Sequence, residues 1–267
     1  MALGVVSRFA DHLQHFTPAY YEVKGVTGVW HNALPYAIPM ISVFGDNRLS
    51  KAHPEWVQIG PDGERATRAS RYFDWDAICP SHDATFDQGL NWVAEAVRQS
   101  GSGTVRLDDV TYAREGFCQC QTCQTKSQDA GMTLNAFRIQ RLVDFVRQAH
   151  LIAPHLHMTL FPDPFPGHLQ RRFGVDPDRL AHDVEAFVVP IYDLHYATTY
   201  WLEILAEAFL ELIPGRYYIE LYGLQVPEEA LLHACQVAQA YCDGVIVAYE
   251  NHLPKLQRIE ERLALDS

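Results

Sequence analysis

Gly103-Thr104-Val105-Arg106-Leu107-Asp108-Asp109 is the segment on which the reading of the fold turns. Its largely apolar run from Gly103 to Leu107 ends in two adjacent carboxylates. Nine residues after Asp109 comes Cys118-Gln119-Cys120-Gln121-Thr122-Cys123. A run this short, closed by polar residues, reads as a buried strand rather than a helix. Similar runs recur along the chain, at Gly4-Ser7, Tyr20-Val26, Pro39-Phe44, His157-Phe161, Ala186-Tyr192, Tyr217-Leu221 and Gly244-Ala248. Helical patterns lie between them at Arg8-Phe16, Phe86-Ser100, Thr133-Ala153, Asp178-Asp183, Tyr200-Leu212 and Pro227-Tyr241, and Leu253-Leu265 closes the chain. Leu134, Phe137, Leu142, Phe145, Val146 and Ala149 nearly follow the i, i+3, i+4 spacing of a buried helical stripe. Eight strands alternating with helices predict an α/β fold, a (β/α)8 TIM barrel in one domain over residues 1–267. A doubly wound sheet fits less well, because no glycine-rich phosphate turn follows the first strand.

Composition narrows the function classes. With 267 residues the chain can bury one large core. A net charge of -12 and the lack of a Lys/Arg run argue against nucleic acid or an anionic membrane surface as partner. Met1 to Phe16 carries no basic stretch leading into an apolar core, and no apolar run reaches the ~18 residues of a membrane span. The expectation is a soluble, cytoplasmic protein, and self-association into a homo-oligomer is compatible with the sequence. In that compartment six cysteines suggest metal binding or burial rather than disulfides. Cys235 and Cys242, seven apart on a predicted helix, read as core positions.

Barrel chemistry sits on the loops after the carboxyl ends of the strands. By that rule the candidate substrate-binding residues are His31, Asp46, Asp193, Tyr222 and Glu250, with Arg106 inside the fourth strand. Asp108, Asp109 and Glu220 are the candidate catalytic carboxylates. Trp30, Tyr112, Tyr192, Trp201 and Tyr222 stand near these positions. Carboxylates and aromatic rings together suit an oligosaccharide or glycoside, since rings stack on sugar C–H faces while carboxylates bind hydroxyls. Side chains alternate along a strand, so only one of Asp108 and Asp109 is expected to point into the pocket.

Cys118, Cys120 and Cys123 offer three thiols within six residues, and a closed tetrahedral zinc site needs about four ligands. Cys79, in Ile78-Cys79-Pro80-Ser81, is the natural fourth, with His82 as a substitute. A site closed by four thiolates leaves no open position, so the zinc is expected to be structural. Free thiols are the plain alternative, and an iron-sulfur cluster is disfavoured by the absence of ferredoxin spacings. His155 and His157 could instead mark a catalytic metal, giving a metal-dependent hydrolase of another kind.

These motifs resemble the retaining (β/α)8 glycoside hydrolases, in particular family 42 β-galactosidases and the uncharacterised hydrolase-like proteins related to them. In family 42 the fourth strand ends in Asn-Glu, the glutamate being the acid/base, and a Cys-x-Cys-x-x-Cys loop joins an upstream Cys-Pro around zinc. Here Asp108-Asp109 takes the Asn-Glu place, and Cys118, Cys120, Cys123 and Cys79-Pro80 match the thiols. His53-Pro54-Glu55-Trp56 looks like the His-Pro-x-Trp segment of the hydrolase-like proteins. The match spans roughly residues 39–126. The resemblance implies Asp109 as acid/base, one methylene shorter than the usual glutamate, and Glu220 as nucleophile. Arg106-x-Asp108 is also similar to the fourth strand end of α-amylase-like barrels, which would make Asp108 the nucleophile. A carbohydrate-binding barrel that has lost catalysis is the competing class.

Overall fold

The computed structural model describes residues 3–265. Eight parallel strands close into a barrel in chain order: β1 (Gly4–Ser7), β2 (Ala19–Lys24), β3 (Ile38–Ser42), β4 (Thr104–Asp108), β5 (His155–Thr159), β6 (Ala186–Pro190), β7 (Tyr217–Tyr222) and β8 (Gly244–Ala248). Pairing of β1 with β8, Gly4 opposite Ile246, completes the ring and leaves no free sheet edge. The surrounding helices are α1 (Ala10–Leu13), α2 (Leu49–Ala52), α3 (Asp83–Ser100), α4 (Gln121–Asp129), α5 (Leu134–Ile152), α6 (Pro177–Leu180), α7 (Tyr200–Leu212), α8 (Glu228–Ala238) and α9 (Leu253–Leu265). This is the TIM barrel that the strand pattern predicts. No helix among the described residues is long and apolar enough to cross a membrane.

Alternation along the strands sorts side chains into two cores. One set, including Ile41, Val105, Leu107, Leu156 and Phe187, packs outward against the helices. The other fills the barrel: Val6, Tyr20, Met40, Val188, Ile246 and Ala248. Arg106 and Glu220 share this interior and are only 1% and 2% exposed. Arg106 lies over the Tyr20 ring at 4.9 Å, and the Tyr20 hydroxyl meets His157 Nδ1 at 2.7 Å. A polar column therefore runs through the barrel from Glu220 to His157, whose pKa burial lowers to about 4.

Departures from the sequence reading lie at element ends and have local causes. The helix expected over Arg8-Phe16 shortens to α1, because the chain must turn through Thr17-Pro18 into β2. β2 and β3 stop at Lys24 and Ser42, two residues early, where both side chains turn to the strand-end carbonyls: Lys24 Nζ donates to Ser42 O at 2.6 Å, and Ser42 Oγ to Gly45 O at 2.8 Å. α4 is polar throughout and has no apolar stripe to announce it. Cys235 is buried in α8, whereas Cys242 lies past its end and donates to Ala238 O.

α3 sits close to the barrel at Gly89. A Cβ there would meet Phe145 Cε2 and Val43 Cγ1, each at 2.8 Å. Gly89→Ala should therefore destabilise by about 1–3 kcal/mol through overpacking, despite alanine's better helix propensity. Urea unfolding of the variant checks this, and a gain in stability would show that α3 can stand off the sheet.

Candidate active site

At the carboxyl ends of the strands a cavity of about 330 Å³ opens, near the lower end of the ~300–1,000 Å³ typical of ligand pockets. Four carboxylates face it: Glu22 from β2, Asp108 from the end of β4, Asp109 from the residue after it, and Glu220 from β7. Three cations also reach it, each already engaged. Arg8 pairs with Glu22 at 2.5 Å, Lys24 with the buried Asp46 at 3.0 Å, and Arg106 with Glu220. Asp108 and Asp109 are left without a dedicated cation.

Glu220 is the most firmly held of the four. One oxygen accepts from Arg106 Nη1 and the other from the Tyr192 hydroxyl. Arg106 Nε also donates to Thr159 Oγ1 at 3.0 Å, so the guanidinium is fixed from two strands. Breaking a buried pair from one side leaves an uncompensated charge.

Asp109 is pushed toward its protonated form. Burial is the larger cause and the charge of Asp108 the next, and together they raise its pKa to about 8 against the pull of Ser42 and Lys24. Its Oδ2 lies 2.5 Å from Ser42 Oγ. Asp109 has φ 53°, in the left-handed region, directly after the last strand residue. That turn breaks the alternation of the pleat, so Asp108 and Asp109 both line the cavity, where one alone was expected. Gly45 leaves room opposite, since a Cβ there would lie 2.6 Å from Asp109 Oδ2 and displace that carboxyl. Burial also raises Asp108, with Arg106 opposing and Glu220 adding to the shift.

Of the residues predicted from strand ends, Asp108, Asp109, Glu220 and Arg106 converge on the cavity. Five do not line it. His31 is exposed, its backbone N–H bonded to Val23 O at 2.8 Å. Asp46 accepts from Leu49 N at 2.7 Å at the start of α2 while pairing with Lys24. Asp193 accepts from His195 N at 2.8 Å within its own loop. Tyr222 stands behind Tyr192, ring centroids 5.6 Å apart. Glu250 is ion-paired with Lys255 and accepts from His252 N at 2.9 Å before α9. A strand end places a residue near the mouth, but a side chain that caps the next turn is spent on the backbone.

The cavity also takes Glu22, Lys24, Trp75 and Tyr249, which strand-end reading missed. Tyr20, Glu22 and Lys24 share one side of β2, and charged residues on the inward side of a barrel strand are the signal that would have found the first two. Trp75 has no such signal, because it comes from the long loop after β3. The histidine alternative separates from this site: exposed His155 pairs with Glu185 at 2.6 Å, and His157 faces a hollow at the opposite barrel end.

Cys79, Cys118, Cys120 and Cys123 are all buried, and their sulfurs lie within 4.8 Å of one another. It is the group of three or more potential ligands that the described residues offer a metal ion. Cys79 Sγ lies 3.4 Å from Cys123 Sγ and 3.9 Å from Cys120 Sγ. Ile59 N donates to Cys118 Sγ at 3.2 Å, and Ser81 N to Cys79 Sγ at 3.4 Å, which suits sulfur carrying negative charge. The cluster braces loops that line the cavity. Ser81 links Cys123 to the Tyr112 hydroxyl, three residues past Asp109, and Gln58 ties Ile78 O to Ala113 N. His53 stacks on Trp56 at 3.8 Å, and Trp56 O accepts from Cys79 N at 2.7 Å, so the His-Pro-Glu-Trp segment supports the cysteine loop.

No known family model matches the sequence, and no curated protein does. Solved structures do. The PgaB (BpsB) glycoside hydrolase domain from Bordetella bronchiseptica is similar with TM-score 0.74 and 11% identity over 98% of both chains. α-L-fucosidase isoenzyme 2 from Paenibacillus thiaminolyticus has TM-score 0.67 and 12% identity, over 98% of this chain and 48% of that one. The GH20 exo-β-N-acetylglucosaminidase from Vibrio harveyi has TM-score 0.63 and 10% identity, over 97% of this chain and 53% of that one. The chain thus spans the Bordetella domain and about half the length of the other two. At these identities the likeness is one of fold: a (β/α)8 barrel of the type that glycoside hydrolases use.

Arg106→Met should destabilise the protein by about 3–5 kcal/mol, because Glu220 loses its cation inside the barrel. Adding Glu220→Gln should restore most of that loss, as urea unfolding of the three proteins would reveal. Equal stability of Arg106→Met and wild type would show that Glu220 finds another partner.

Proposed function

We propose that this chain is a glycoside hydrolase that cleaves the glycosidic bond of an oligosaccharide or glycoside, with Asp109 as acid/base and Glu220 as nucleophile. The observation that carries the reading is the contrast between two carboxyl groups in one cavity. Asp109 is pushed toward its protonated form, while Glu220 is ion-paired with Arg106. Such a contrast is what acid and nucleophile need. Asp109 gives its proton to the departing oxygen as Glu220 Oε attacks the anomeric carbon. In the second half Asp109 takes a proton from water as the water oxygen bonds to the anomeric carbon and the Glu220 O–C bond breaks, which releases the sugar. Arg106 and Tyr192 fix the Glu220 carboxylate and stabilise the charge returned to it.

A second assignment, with Asp108 as nucleophile, is favoured by one feature. Both Glu220 oxygens are already engaged by Arg106 and Tyr192, whereas Asp108 lacks a dedicated cation.

The four cysteines hold a structural zinc in this reading. A tetrahedron with Zn–S bonds of ~2.3 Å sets its sulfurs about 3.8 Å apart, close to the separations here. Zinc there pins the loops that carry Trp75 and Asp109 and takes no part in the reaction. The convergence of Cys79 with Cys118, Cys120 and Cys123 also supports kinship with the family 42 group. A cytoplasmic setting, where thiols stay reduced, suits such a site.

Screening aryl glycosides with wild type and Asp109→Asn tests the chemistry. Turnover should fall about 10²–10⁴-fold in the variant, and kcat/KM of wild type should decline as pH rises through about 8. Stability should move the other way. The folded pKa lies above that of the unfolded chain, so the stability tied to the protonated form is present below about pH 4 and lost as pH rises through about 8. Asp109→Asn removes that loss, and its melting temperature at pH 9 should equal or exceed that of wild type. No turnover by wild type on any glycoside would favour the carbohydrate-binding class.

For the metal, Cys120→Ser should cost the bound zinc, read by atomic absorption, and lower the melting temperature. Zinc content equal to wild type would remove the four-thiolate assignment.

A further inference from the structure

The catalytic cavity continues past Asp109. A second hollow, of about 210 Å³, adjoins it, and Trp75, Asp109, Thr111 and Phe161 are walls of both. Arg106, Asp108 and Glu220 face the first cavity alone, whereas Tyr72 and Arg114 face the second alone. Asp109 therefore stands at the junction of a two-lobed cleft, with the other carboxylates on one side of it.

We infer that the second lobe is a subsite for the sugar ring of the leaving group, so that the substrate is an oligosaccharide chain rather than a monosaccharide with a small aglycone. The inference rests on the roles proposed for Asp109 and Glu220. The ring whose anomeric carbon is attacked lies on the Glu220 side. As the Glu220 O–C bond forms and the glycosidic C–O bond breaks, the Asp109 proton passes to the departing oxygen. That oxygen has to sit against Asp109, and the ring attached to it extends away from Glu220, into the second lobe.

The walls suit a sugar. Trp75 is half-buried at the junction and has no ring or hydrogen-bond partner among the described residues, which leaves an aromatic face and an indole N–H for a ligand. Phe161 and Phe173 stack on each other at 4.2 Å and present a hydrocarbon wall. Arg114 lies over the Tyr72 ring at 4.7 Å and has no carboxylate partner among the described residues, so its donors are open to hydroxyls. Arg172, in contrast, is committed to Asp163. Apolar faces with a few convergent donors match a ring that has C–H faces and an equatorial rim of hydroxyls.

Calorimetric titration of the Asp109→Asn protein, in which cleavage is slowed about 10²–10⁴-fold, tests this with little turnover. The probes are cellotriose, chitotriose and β-1,4-galactotriose, each beside its own monosaccharide. At least one trisaccharide should bind about tenfold more tightly than its monosaccharide. Adding Tyr72→Ala and Arg114→Gln should erase that advantage and leave monosaccharide affinity unchanged. Tyr72 is 58% exposed, so the fold should tolerate the change, and near-ultraviolet circular dichroism checks that it does. Affinity independent of chain length, or an advantage that survives the double change, would overturn the subsite and leave the hydrolase reading standing. Absence of binding by every sugar would remove both.

Discussion

A guanidinium inside the barrel dictates much of what surrounds it. Arg106 is almost wholly buried, and its charge is tolerable there only because Glu220 answers it from across the barrel. Thr159 accepts from its Nε, and the Tyr20 ring lies against its plane. With Arg106 committed to Glu220, Asp108 and Asp109 at the end of the same strand have no cation of their own. Burial then drives both toward the protonated form. One ion pair thus sets Glu220, held by a guanidinium, apart from Asp109, which burial pushes toward its protonated form.

The loops that close over this site are long and need support that a barrel strand does not supply. Trp75 and Asp109 come from the segments after β3 and β4, and the cysteine cluster lies where those segments meet. Hydrogen bonds run from Cys123 through Ser81 to Tyr112, and from Gln58 to both Ile78 and Ala113. The fold therefore divides the work, with strands placing Arg106, Asp108 and Glu220 and the thiol-braced loops placing the rest. A metal in that cluster would bear on the cavity through the loops that carry Trp75 and Asp109.

How much of this could be read from the sequence depends on what each residue answers to. Strands such as β1, β6 and β8 were legible because a closed parallel barrel makes them short apolar runs. Asp108 and Asp109 were legible because carboxylates at a strand end stand out, and the cysteine cluster because three thiols within six residues do. Asp46 and Glu250 look the same on paper, yet each caps the next turn and pairs with a lysine. Which of two strand-end carboxylates faces the cavity depends on backbone geometry such as the φ of 53° at Asp109, and residue type does not encode that. Trp75 was invisible because its position depends on the whole path of a loop.

The central claim is that one carboxyl group at the end of β4 keeps its proton into the neutral range. Carbon-13 labelling of the aspartate carboxyls, followed by NMR titration of wild type and Asp109→Asn, measures it without any assumption about the sugar. The account predicts a carboxyl resonance in wild type that titrates near pH 8 and is missing from the variant. A wild-type spectrum in which every aspartate has finished titrating below about pH 5, in the ordinary carboxylate range, would contradict it.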